Sequence, residues 1–78
     1  MSKAGQALGQ VLEQYNISQY QLAQVMGISR NNVSRWVREE RDPLADTVRE
    51  IALALKTIDP EAAAAFVTRY LGDVLGED

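Results

Sequence analysis

Arg30, Asn31, Ser34, Arg35 and Arg38 bring three guanidinium forks, an amide and a hydroxyl into one short stretch of the chain. At about 100° per residue these side chains fill an arc of about 140° on one side of a helix, while Val33, Trp36 and Val37 cluster opposite. Arg can bond bidentately to guanine O6 and N7, Asn to adenine N6 and N7, and Ser to several bases, and an α-helix fits the DNA major groove. Cations alone would serve phosphate attraction; mixing them with Asn at the helix N-terminus adds base discrimination. A helix selected only for stability would open on Asp or Glu. This one opens on Arg30-Asn31-Asn32, a cation at the positive end of the dipole followed by two mediocre helix formers. The competing reading is a solvated polar face.

The elements that hold this face are legible from period and punctuation. Ser29 caps the third helix, and Ile28 before it staples onto Val33. Gly27 ends the helix before, whose own cap is Ser18, with Gln21 completing a capping box and Ile17 stapling to Leu22. Leu22, Ala23, Val25 and Met26 are its expected buried side. Only Gly27, Ile28 and Ser29 lie between the two helices, which is the spacing of a helix-turn-helix over residues 18–38.

Around this core, Leu8, Val11, Leu12 and Tyr15 predict a first helix from about residue 4 to 15, closed by Asn16. A fourth helix is expected from about Asp46 to Lys56 on Val48, Ile51, Ala52 and Leu55, after the break at Asp42-Pro43. The fifth has Asp59 as cap, Pro60 at the first position and Glu61 at the positive dipole end. It runs over about residues 60–75 with a stripe of Ala63, Phe66, Val67, Tyr70 and Leu71, continued by Val74 and Leu75, and Gly72 is a candidate stop. The expected fold is all-α, a bundle of about five helices, with residues 1–78 forming one domain because two cores would each fall near the ~40-residue limit for unaided folding.

Composition narrows the chemistry. The sequence has no Cys and no His, so disulfides, thiolate nucleophiles, imidazole bases and the usual zinc ligands are excluded. Neither a metal site nor a cofactor is expected, no small-molecule ligand is implied, and an enzyme is not. The longest apolar run, Ala62 to Val67, is far short of the ~20 residues that span a bilayer. With no apolar signal core before Glu13, the chain reads as cytoplasmic. The formal net charge is −3, yet Gln14 to Arg38 holds no acid and carries +3, whereas Pro43 to Asp78 carries −4.

Ile17-Ser-Gln-Tyr-Gln-Leu-Ala-Gln-Val-Met-Gly-Ile-Ser-Arg-Asn-Asn-Val-Ser-Arg-Trp36 resembles the helix-turn-helix of the phage-repressor family (Cro/cI, or XRE). Arg41-Asp-Pro43 and Ile51-Ala-Leu-Ala-Leu55 resemble that family's next loop and fourth helix, so the likeness covers roughly residues 6 to 56. It implies a lambda-repressor-like DNA-binding fold. It also implies base contacts at Arg30, Asn31 and Arg35, with Ser34 and Asn32 as neighbours touching base or backbone. Gln19 would hold a phosphate and buttress Arg30, and Arg38 and Arg41 would sit near phosphates. The sequence departs from the pattern at Glu39-Glu40, where many members carry Gly-Lys.

Tyr20, in the first turn of the second helix, can reach a phosphate or lie in solvent. Trp36 shares its phase with Val33 and Val37 and is expected in the core. Phe66, Val67, Tyr70, Leu71 and Val74 offer more apolar surface than a closing helix needs, so a homodimer interface is expected there, the competing reading being internal packing. Together these features predict a sequence-specific transcription regulator that binds an inverted repeat in double-stranded DNA. The alternative is an antitoxin-like or adaptor module whose acidic C-terminal half docks a basic protein partner.

Overall fold

The computed structural model describes residues 3–74, the last two, Asp73 and Val74, by their backbone. Its five helices are α1 (Lys3–Gln14), α2 (Gln19–Met26), α3 (Arg30–Val37), α4 (Ala45–Ile58) and α5 (Pro60–Val74), and no strand occurs among the described residues. The all-α expectation holds.

Each of the first three helices ends in the same way. A residue in the left-handed region follows the last turn, and two backbone N–H groups fold back onto carbonyls that the helix leaves unpaired. After α1 the residue is Asn16 (φ 57°), with Asn16 N–H donating to Glu13 O and Ile17 N–H to Leu12 O. After α2 it is Gly27 (φ 72°), with Gly27 N–H donating to Gln24 O and Ile28 N–H to Ala23 O. After α3 it is Glu39 (φ 62°), with Glu39 N–H donating to Trp36 O and Glu40 N–H to Arg35 O. In the first two cases the next residue is an isoleucine that turns inward: Ile17 is buried and Ile28 half-buried against the core. The apolar side chain after the turn thus fixes the exit direction.

The helix starts follow the sequence. Ser18 Oγ accepts from Gln21 N–H at 2.9 Å, Ser29 Oγ from Asn31 N–H at 3.2 Å, and Asp59 Oδ1 from Glu61 N–H at 3.0 Å. Helix α4 starts without a side-chain cap at Leu44, one residue earlier than the spacing suggests, and extends to Ile58. Gly72 does not stop α5, which passes through it to Val74. Leu75, the last residue of the expected stripe, lies outside the described residues.

All five helices contribute to one core. Leu8, Val11, Leu22, Val33, Ile51, Leu55 and Phe66 are its largest fully buried side chains. Helix α1 packs on α3 and α5, α2 on α3 and α4, and α4 on α5. Gly9 lets α1 approach α3 closely, because a Cβ there would meet Val37 Cγ1 at 3.3 Å. The radius of gyration, 11.3 Å, is close to the value of about 11 Å expected for a compact chain of this length.

The apolar phase of two helices needs correcting. Val25, expected on the buried side of α2, is 43% exposed and faces a groove toward Leu53 and Thr57 of α4. On α5 the buried stripe is Ala62, Ala63 and Phe66, with Tyr70 half-buried and stacked on Phe66 at a centroid distance of 6.3 Å. Phe66 is 0% exposed within the monomer, so it belongs to the core and leaves the expected dimer surface. The reason is its phase: Phe66 continues the Ala62/Ala63 edge facing α1 and α4, whereas Val67 and Leu71 sit one step further round.

Candidate nucleic-acid interface

Helix α3 is anchored by three side chains. Val33 is completely buried, Trp36 is 7% exposed, and Val37 packs half-buried against the core beside Gly9. With that side held, the opposite side is fixed in direction. Arg30, Asn31, Arg35 and Arg38 are exposed on it and Ser34 is half-buried among them. Trp36 is therefore a core residue, as its phase predicts.

The other expected contact residues surround this face unequally. Gln19, the first residue of α2, is half-buried, and no hydrogen bond joins it to Arg30 among the described residues. The Tyr20 ring is 59% exposed, and its hydroxyl accepts from Gln24 Nε2 at 2.8 Å, one turn along α2. Asn32 is half-buried and lies about 100° further round α3 than Asn31, on the side of Trp36. There it lines a groove of about 260 Å³ together with Met26, Trp36, Arg41, Pro43 and Leu44. Arg41 is exposed in the loop that leads to α4.

Two features escaped the sequence reading. The first is an ion pair at the end of α3: Arg38 Nε lies 3.4 Å from Glu40 Oε2, and Arg38 Nη2 donates to Glu40 Oε1 at 3.5 Å. The second is that Glu39 keeps the left-handed conformation although the glycine expected to supply it is absent. The departure from Gly-Lys to Glu39-Glu40 marks the missing glycine, and it also puts an acid two residues from Arg38.

No cluster of three or more carboxylates, imidazoles or thiols able to hold a metal occurs among the described residues. No described helix is long and apolar enough to cross a membrane. What the surface offers is a convex helix face, lined with donors, next to a tight left-handed turn that sets the angle between α2 and α3.

Comparison with known proteins agrees with this geometry. A family model described as helix-turn-helix matches residues 8–62, from α1 into the first turn of α5. No curated protein and no solved structure matches the chain. The matched region is 55 of the 78 residues, and it takes in the capped helices, the Gly27 turn and the donor face of α3. The chain belongs to the helix-turn-helix family of the Cro/cI (XRE) type, a family of DNA-binding transcription regulators and not of catalysts.

Proposed function

We propose that this protein regulates transcription by binding a specific inverted repeat as a homodimer, with α3 of each protomer in the major groove. The observation that carries the reading is the donor face of α3. Arg30, Asn31 and Arg35 are exposed, while Val33 and Trp36 hold the same helix in the core. A reading helix needs side chains free to meet base edges and a backbone that does not yield when they do. In this reading Arg30, Asn31, Ser34 and Arg35 contact bases. Gln19, Tyr20, Asn32, Arg38 and Arg41 lie around the backbone of the DNA.

The homodimer rests on α5. Val67 and Leu71 are 39% and 44% exposed one turn apart, and Tyr70 beside them is half-buried. A two-fold contact along this edge would cover them and present two copies of α3 about one DNA turn, or ~34 Å, apart. Val74 extends the same edge by sequence, although its side chain lies outside the described residues.

The deciding experiment is selection from a random duplex library at about 0.15 M salt, using the native chain and an Arg30→Ala, Arg35→Ala variant. An inverted repeat enriched by the native chain and lost with the variant is the expected result. Enrichment of the same sequence by both proteins would refute the assignment of α3 as the reading helix.

A further inference from the structure

The chain places an anion of its own at the end of the donor face. Arg38 closes α3, and its guanidinium meets the Glu40 carboxylate through two nitrogens, Nε at 3.4 Å and Nη2 at 3.5 Å. The position of Glu40 is set by the backbone. Glu39 turns left-handed at φ 62°, Glu39 N–H donates to Trp36 O at 3.0 Å, and Glu40 N–H donates to Arg35 O at 2.9 Å. The acid is therefore tied to the same helical turn that carries Arg35 and Arg38.

A carboxylate and a phosphate make the same demand on a guanidinium, two oxygens facing two N–H groups. In the pair seen here, the Glu40 carboxylate holds the Nε–Nη2 edge of Arg38, a donor edge that suits a phosphate equally. We propose that Glu40 is an internal stand-in for phosphate that competes with the DNA backbone for Arg38 and so lowers affinity for duplex DNA of any sequence. The proposal rests on α3 being the DNA-binding helix.

Both side chains are more than half exposed, at 62% and 54%, so water and salt already weaken the pair and it opens readily. The competition is independent of base sequence. It reduces the number of cations that the short basic segment can commit to phosphates, in a protein whose formal net charge is −3.

The test uses the full chain and a fluorescent mixed-sequence duplex, with affinity read by anisotropy over a series of salt concentrations. Glu40→Gln keeps the size of the side chain and removes its charge. It is expected to tighten binding about three- to tenfold and to steepen the dependence of log K on log salt by about 0.9, the signature of one added phosphate contact. In an Arg38→Ala background the same Glu40→Gln change is expected to alter affinity less than about twofold, because the competed group is gone. Equal tightening in both backgrounds would show that Glu40 repels DNA at a distance and does not act through Arg38. Native-like affinity and slope for Glu40→Gln would also overturn the proposal. Failure of all four proteins to bind the duplex, each shown to be helical by circular dichroism, would instead overturn the DNA-binding reading beneath it.

Discussion

Arg69 on α5 donates through Nη1 to Oε1 of Gln10 on α1 at 3.0 Å, joining residues 59 positions apart. Its Nη2 donates to Gln14 Oε1, one turn further along α1. The fork of the guanidinium thus spans a helical turn of its neighbour and ties the first helix to the last. Replacing Arg69 by Ala removes both bonds at an exposed site and is expected to cost about 0.5–1.5 kcal/mol. Urea denaturation would measure this as a lower midpoint with an unchanged slope. An unchanged midpoint would mean that the Arg69 fork adds nothing to the hold of α5 on α1.

Glu39 bears a Cβ in a conformation that suits glycine, and Glu39→Gly relieves that crowding without disturbing the two hydrogen bonds that the turn makes. The variant is expected to be more stable by about 1 kcal/mol. A thermal melt followed by circular dichroism reads the gain as a higher Tm. A lower Tm would show that the side chain of Glu39 contributes more than its backbone strain costs.

Gln19 and Arg35 are assigned different kinds of contact, and the difference is measurable. Arg35→Ala is expected to cost about 1 to 3 kcal/mol on the preferred site and to relax preference at one base position, whereas Gln19→Ala weakens all sequences alike. Binding isotherms against a panel of single-base variants of the selected site separate the two patterns. Uniform weakening by Arg35→Ala would remove it from the reading set.

On α5, Val67→Asp with Leu71→Asp places two charges on side chains that are 39% and 44% exposed in the monomer. The variant should keep the helical spectrum of the native chain but sediment as a monomer at micromolar concentration, where the native chain sediments as a dimer. A native chain of 8.7 kDa in that experiment would dispose of the two-fold contact.

Helix boundaries were legible wherever a side chain announces them. Ser18, Ser29 and Asp59 cap the helices that their positions predict, and Gly27 makes the predicted turn. The core face of α3 was equally plain, because Val33 and Trp36 repeat at helical spacing with polar residues between them. Less legible was anything that depends on which neighbour a face meets. Val25 has the residue type of a core position, yet α4 passes far enough away to leave a groove. Phe66 and Val67 are adjacent and both apolar, and only the placement of α1 and α4 buries one and exposes the other. Contacts made by flexible polar chains, such as Arg69 with Gln10 or Arg38 with Glu40, leave no periodic trace. The expected contact roles of the α3 residues came from residue chemistry and family likeness together; the fold contributes their shared exposure.

The burial of Trp36 makes the molecule its own optical instrument. It is the single tryptophan of the chain, 7% exposed, and sits directly behind the face that carries Arg30, Asn31 and Arg35. Its emission therefore reports the packing that supports α3, and unfolding should move that emission toward the red as the indole meets water. A duplex that docks on a rigid α3 should raise the anisotropy of labelled DNA while leaving the tryptophan wavelength where it was. A shift in that wavelength at saturation would reveal that the helix repacks as it binds, so one cuvette distinguishes docking from remodelling.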